Sequence, residues 1–209
     1  MATLTELQTK ISARLLDTSN TIVSLSQITD ALNSAISTWK YKRFWFNTKT
    51  GNITLTADNS TLTPPADLLI ELPKCGFTIN YGNTKWPIKK ISPDRYNRID
   101  NQSVGLPEFY TWEAGVYSLY YIPDQGYTVI CKYLEDYDDL SASGDSNDFT
   151  NNAEDLIMYD ALAKLHGELR QDEKMESYYS ARANNEYKIL RDFTSKNIAS
   201  GELSVDSIL

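Results

Sequence analysis

The side chains of this chain that could do chemistry are few, and none of them forms a known catalytic or metal-binding pattern. His166 is the only histidine, and no cysteine, serine motif or second histidine lies at ligand spacing from it. The sequence therefore lacks the partner residues that a histidine-based catalytic triad or a zinc site requires. We expect His166 to be a partly exposed helix residue. No glycine-rich nucleotide-binding loop occurs either, so we expect no cofactor.

Carboxylates are concentrated over residues 133–163, where no lysine or arginine occurs. Such clusters can bind calcium, but loops started at Asp136 or Asp145 lack the glycine and glutamate that an EF-hand requires. We therefore expect no metal and interpret residues 136–147 as a solvated acidic linker. A carboxylate pair could still form a glycosidase site, because such pairs leave no spacing signature.

The overall charge argues against a protein that grips nucleic acid. The net charge is −8 with a pI of about 4.7, and the chain has no basic stripe, so an acidic surface would repel DNA. The 14 tyrosines suit either a subunit interface or a β-sheet core. Cys75 and Cys131 are expected to be reduced, buried thiols. We expect no signal peptide and no membrane span.

Two stretches with helical spacing of apolar residues open the chain, and each follows a capping box. The second helix is expected to run from about Leu25 to about Phe44. We expect Trp39, Phe44, Trp45 and Phe46 to form a structural aromatic cluster. The alternative is a nucleic-acid contact, in which the rings stack on bases and the intervening cations hold phosphate.

The hydrophobic period changes to two from residue 51, and turn residues punctuate the chain up to residue 135. This pattern predicts an antiparallel meander of roughly five to seven strands over 51–135. A helix capped by Asp148 or Asn151 is expected to follow. The predicted fold class is α+β. A four-helix-type bundle is built from both chain ends, and an antiparallel β domain is inserted into it.

The domain boundaries follow from these patterns. The discontinuous helical domain covers residues 1–50 and 148–195, and the inserted β domain covers residues 51–135. The helical pattern then dissolves, so residues 196–209 are predicted to form an extended tail.

The order of these segments resembles the head-to-tail connector, or adaptor, proteins of short-tailed bacteriophages. The segments that carry the resemblance are AISTW at 35–39, RFWF at 43–46, PPADL at 64–68, GLPEFY at 105–110 and LYYIPD at 119–124. The GLPEFY segment is similar to the family's Gly-x-Pro-x-x-Tyr segment. The leucine-rich first helix, the acidic stretch and the closing helix pair complete the order.

The resemblance implies a structural virion protein, not an enzyme, made in the host cytoplasm and placed at the head–tail junction. It implies a homo-oligomeric ring of about twelve copies between the portal protein and the tail nozzle protein. DNA would pass through the lumen without sequence recognition. The alternative functions are a tail-associated accessory protein, such as a glycan hydrolase with a carboxylate pair, and a soluble binding module.

In related connectors C-terminal segments reach the portal, so the resemblance implies portal binding by the tail. The expected anchors are the apolar residues Ile198, Leu203, Val205, Ile208 and Leu209.

Overall fold

The computed structural model shows a mixed α+β chain that divides into two compact units. It describes residues 2–72, 76–82, 84–99 and 103–198. The helical unit combines Met1–Asn47 with Tyr137–Leu209, and the β unit is Thr48–Asp136.

Helices of very different length occur in the described residues. The α-helices are α1 (Leu4–Arg14), α2 (Leu25–Trp39), α3 (Pro93–Tyr96), α4 (Asp148–Asn152), α5 (Glu154–Leu165) and α6 (Glu173–Ile198). A π-helical segment, His166–Arg170, continues α5. Gln171 then adopts a left-handed conformation, which ends the segment before α6 begins.

Helix α5 is the centre of the helical unit. It contacts α1, α2, α4 and α6, and apolar residues on several of its faces are buried, including Ile157, Met158 and Leu162. A helix that is apolar nearly all round must be enclosed by other elements. The α+β class is confirmed, whereas a four-helix-type bundle is not confirmed, because the described residues of this unit form five α-helices, of which four contact the central α5.

Side-chain caps fix where the helices begin. Thr3 and Ser24 form the expected capping boxes of α1 and α2. The cap predicted at Asp148 or Asn151 is wrong, because the N-cap is Asn147, whose Oδ1 accepts hydrogen bonds from the backbone N–H groups of Phe149 and Thr150. The helix that follows is also broken at Ala153, so α4 and α5 are separate.

The predicted end of α2 at Phe44 is wrong, since the helix ends at Trp39. The fully buried side chain of Asn47 organises the chain beyond that point. Its amide donates to the carbonyls of Lys40 and Lys42, and its Oδ1 accepts the N–H of Phe44 at 2.8 Å. These bonds stabilise a tight turn at the end of α2 in place of further helical hydrogen bonds.

The β unit contains eight described strands. They are β1 (Thr48–Leu55), β2 (Thr61–Leu62), β3 (Leu68–Glu71), β4 (Phe77–Tyr81), β5 (Thr84–Lys90), β6 (Phe109–Glu113), β7 (Val116–Tyr120) and β8 (Tyr127–Glu135). They form one sheet in the order β1-β8-β4-β5-β6-β7-β2, and β3 also pairs with β8. The sheet is nearly closed, and its two edge strands, β1 and β2, are consecutive in the chain.

The predicted antiparallel meander is wrong in two respects. The first strand pairs with the last, in the register Thr48↔Leu134. Strands β5 and β6 are parallel, with Lys89 opposite Phe109. A parallel pair requires a long crossover, and residues 91–108, which include α3, provide it.

The middle of the segment at residues 136–147 is fixed to helix α2 by hydrogen bonds. Leu140 is buried, and both its backbone N–H and its carbonyl are hydrogen-bonded to the side chain of Asn33. Asp145 accepts the backbone N–H groups of Ser141 and Ala142. The carboxylates of this segment are therefore presented on an ordered backbone.

Candidate functional site

The four predicted aromatic residues lie in one continuous set of rings within the helical unit. Phe44 stacks on Phe46 with ring centroids 5.1 Å apart, and Trp45 packs edge-on against Phe46 at 4.9 Å. Trp39 joins through Tyr187, whose ring lies 5.0 Å from Trp39 and 6.1 Å from Phe44. We call these residues the aromatic cluster.

Rings from later parts of the chain complete the aromatic cluster. Phe149, at the start of α4, is fully buried and packs edge-on against both Phe44 and Phe46. Phe193 on α6 packs against Trp45 at 4.8 Å. Phe44 and Phe149 are fully buried, so these two rings are not available as a stacking platform for bases.

The outer face of α6 carries apolar side chains that the helical unit does not cover. Ile189 is 54% exposed and Phe193, one turn later, is 48% exposed. The ring of Phe193 thus continues the aromatic cluster from the core to the surface. Large apolar side chains grouped at a surface are typical of a contact with another protein.

The loop between α1 and α2 is built around Asp17. Its carboxylate accepts hydrogen bonds from the backbone N–H groups of Thr21, Ile22 and Val23. These bonds, first that from Val23, lower the pKa of Asp17 to about 2. The loop displays Leu16, which is 92% exposed and has a φ of 54°.

The β unit contains a groove of about 810 Å³ between β3 and strands β5 to β7. Glu71 is the carboxylate in its lining; it pairs with Lys90 and accepts the hydroxyl of Tyr117. Burial opposes ionisation of Glu71, but these partners outweigh it and lower the pKa of this carboxyl. A carboxyl whose pKa is lowered is a poor general acid.

His166 was expected to be a partly exposed helix residue, and this prediction is wrong, because only 4% of its surface is exposed. Its ring stacks on Tyr179 at 5.5 Å, and neither ring nitrogen has a hydrogen-bond partner among the described residues. Burial, aided by the charge of Arg170, lowers the pKa of His166. A neutral ring packed in the core fits this environment.

Several sequence-predicted residues lie outside the described part of the chain. The α6 backbone reaches Ile198, but the side chain of Ile198 and the other four tail anchors, Leu203, Val205, Ile208 and Leu209, are not described. The same holds for Cys75. Cys131 is a buried free thiol, and burial raises its pKa to about 12.

The described residues contain no group of three or more histidine, cysteine or acidic side chains that could hold a metal ion. None of the helices in the same part of the chain is both long and apolar enough to cross a membrane.

Sequence reasoning missed Asn47 and Asp17, since polar residues near turns give no pattern that marks them as buried.

The chemistry of these surfaces is that of docking: rigid elements present aromatic and apolar side chains to a partner. These surfaces are typical of a structural protein that binds other proteins. Comparison with known families agrees, because the model of the SU10 adaptor protein family matches residues 2–203. The chain belongs to the SU10 adaptor protein family. No curated protein matches it.

Membership of this family supports a structural connector role as a bacteriophage head-to-tail adaptor. It also implies contacts with portal and tail components at the head–tail junction of the virion. Such a role is non-enzymatic.

Proposed function

We propose that copies of this chain form a closed ring that joins the portal protein to the tail nozzle protein and lets the genome DNA pass. The observation that carries the proposal is the family match over residues 2–203, which covers both compact units. A ring of about twelve copies fits the head-to-tail contacts by which identical subunits close a cycle.

The charge of the chain supports passage of DNA without binding. The net charge is −8, and some cations are already paired, including Lys10 with Glu154 and Lys164 with Asp160. Repeating an acidic surface around a ring produces a strong field that repels phosphate. DNA would therefore slide through the lumen instead of adhering to it.

The tail is proposed to bind the portal. Helix α6 extends to Ile198, and the residues after it alternate apolar with polar and acidic side chains. An extended segment of this kind can insert its apolar residues into a groove or add to a sheet edge of a partner. The proposed anchors remain Ile198, Leu203, Val205, Ile208 and Leu209.

The glycan hydrolase alternative is less well supported. A glycosidase needs two carboxyl groups on either side of the scissile bond. Glu71 is the one carboxylate among the described residues that line the β-unit groove, and its pKa is lowered. We therefore keep the structural function.

The test is the mass of the purified protein in solution, alone and mixed with the portal protein of the same phage. A mass near that of a twelvefold ring in either state supports the proposal, and a monomer that ignores the portal refutes it. A chain that ends at Thr194, which lacks all five proposed anchors, should form rings but lose portal binding.

A matched pair of variants of unchanged length tests whether portal binding depends on the apolar side chains of the tail. The double substitution Leu203→Ser with Val205→Ser should weaken portal binding, whereas Ser204→Ala should leave it unchanged. Portal binding by the chain that ends at Thr194 would rule out the tail as the portal contact.

A further inference from the structure

Two arginines from distant parts of the helical unit converge on tyrosine rings. The guanidinium of Arg14, at the end of α1, lies 5.0 Å from the ring centroid of Tyr159. That of Arg182, on α6, lies 5.7 Å from the same ring and 5.1 Å from the ring of Tyr178. We call these four residues the arginine–tyrosine patch.

The patch lies at the surface of the helical unit. Arg14 and Arg182 are exposed, and Tyr178 is 46% exposed. Leu16, two residues after Arg14, adds an exposed apolar side chain next to the patch in the chain. Cation and ring together make a surface that accepts a charged partner while burying apolar area.

Neither guanidinium has a carboxylate within ion-pair distance among the described residues. Two acids of α5 already have partners, since Glu154 is paired with Lys10 and Asp160 with Lys164. Asp155 and Glu186, four residues from Tyr159 and Arg182 along their helices, form no ion pair with the patch. Two uncompensated arginines on a chain with 28 acidic and 20 basic residues are therefore available to a partner.

Arginine and carboxylate form the geometrically most specific ion pair in proteins. The planar guanidinium presents parallel N–H groups that match both oxygens of a carboxylate. The tyrosine rings hold the arginines in place, so less side-chain entropy is lost when the pair forms. The chemistry of the patch thus fits an acidic protein segment.

The same helical unit presents such a segment elsewhere. Asp138 and Asp139 are adjacent and exposed, and neither forms an ion pair with a described residue. Tyr137, before them, packs against Phe149 at 5.3 Å. Leu140, after them, is buried and hydrogen-bonded on both sides. The two carboxylates are therefore held between two fixed points.

We propose that the arginine–tyrosine patch of one copy binds Asp138 and Asp139 of a second copy. The contact joins two different surfaces of identical chains, so a heterologous arrangement can repeat it from copy to copy around the proposed ring. The inference rests on the proposed ring and names the residues that hold neighbouring subunits together. The occupant is a carboxylate pair, and not the phosphates of DNA, because the rest of the surface is acidic.

Charge reversal of each surface tests the contact. Arg14→Glu with Arg182→Glu turns the basic surface acidic, and Asp138→Arg with Asp139→Arg turns the acidic surface basic. Each variant alone places like charges opposite each other, so ring association should weaken roughly 100-fold or more. The assay is native mass spectrometry or sedimentation, under the condition in which the unmodified chain forms rings.

Mixing the two variants gives the decisive result. The intact acidic surface of the first variant matches the intact basic surface of the second, and the two reversed surfaces match each other. Equimolar mixing should therefore restore rings with an even number of alternating copies. A single chain that carries all four changes should form rings alone.

The matched control is Arg191→Glu, which changes the same residue type on the same helix. Arg191 is exposed and already paired with Asp192, so rings should persist. Arg182→Gln with Asp139→Asn removes charge without reversing it and should weaken association by a smaller factor.

Several results would overturn the contact. Intact rings in either reversed variant, or a mixture that fails to restore them, would exclude this pair of surfaces while leaving the ring itself standing. If the Arg14→Glu, Arg182→Glu variant still forms rings but binds DNA less well than the unmodified chain, the patch binds phosphate groups of DNA and not a second copy. An unmodified chain that never assembles, even with the portal, would refute both the ring and this contact.

Discussion

Replacing Asn47 by alanine should destabilise the helical unit far more than its position in a short connection suggests. The side chain is fully buried and makes two hydrogen bonds of 2.8 Å and one of 3.4 Å to the backbone of residues 40–44. Each good hydrogen bond contributes about 1–1.5 kcal/mol net. Asn47→Ala should therefore reduce the free energy of unfolding by about 2–3 kcal/mol.

The assay is urea unfolding followed by circular dichroism at the helix band. Nearly all helical residues that the structure describes belong to the helical unit, so this signal reports that unit. Trp39 and Trp45 flank the turn, and their fluorescence should change in the same transition.

Asn184→Ala is the matched control. Asn184 is exposed on α6 and donates one hydrogen bond, to the carbonyl of Ser180. Its loss should change the free energy of unfolding by less than about 0.5 kcal/mol, since alanine also favours the helix. If Asn47→Ala costs no more than this control, the turn is held by the aromatic cluster and our account of the end of α2 is wrong.

Three further perturbations give separate tests. The hydrogen bonds to Asp17, first from the N–H of Val23, lower its pKa to about 2, so the stability it contributes is complete above about pH 4–5 and is lost as the pH falls towards 2. Asp17→Asn should show a shallower loss of urea stability over that range, and parallel pH profiles would contradict this. In a Cys75→Ser background, a thiol reagent at about pH 8 should modify Cys131 only on unfolding, because burial raises the pKa of this thiol to about 12; rapid reaction of the folded protein would refute its burial. Phe149→Ala removes a fully buried ring and should cost about 3–5 kcal/mol in urea unfolding, and a loss below about 1 kcal/mol would contradict its place in the core.

Local signals predicted the local parts of the fold. The capping boxes at Thr3 and Ser24 marked the starts of α1 and α2, because the cap and the residue that reciprocates it lie within one turn. The end of α2 was not predictable in this way. It depends on Asn47, whose partners lie up to seven residues back, and nothing in its neighbours marks it as buried.

In the sheet too, local features were predictable from the sequence and long-range features were not. Alternation of apolar and polar residues predicts a strand, but it is identical for parallel and antiparallel pairing. The parallel contact of Lys89 with Phe109 and the pairing of β1 with β8 are set by how the sheet curls towards closure. Such pairings over long sequence separations cannot be read from one strand alone.

The candidate surfaces were predictable only in part, for a related reason. Trp39, Phe44, Trp45 and Phe46 stand close together in the sequence, so their cluster could be expected. Phe149, which fills the space between them, lies more than a hundred residues later. The arginine–tyrosine patch draws on three separate helical segments, and its members carry no shared motif.

The cost of displaying Leu16 argues that the loop before α2 serves a partner. A leucine in the left-handed region costs about 1–2 kcal/mol, and this side chain is 92% exposed. The buried carboxylate of Asp17 holds that conformation through several backbone hydrogen bonds. The isolated helical unit gains nothing from an apolar side chain fixed in solvent, whereas a neighbouring subunit that covers it gains its burial. Leu16 lies two residues after Arg14, beyond the end of α1, so the strained loop and the arginine–tyrosine patch would both be covered by the contact between copies proposed above.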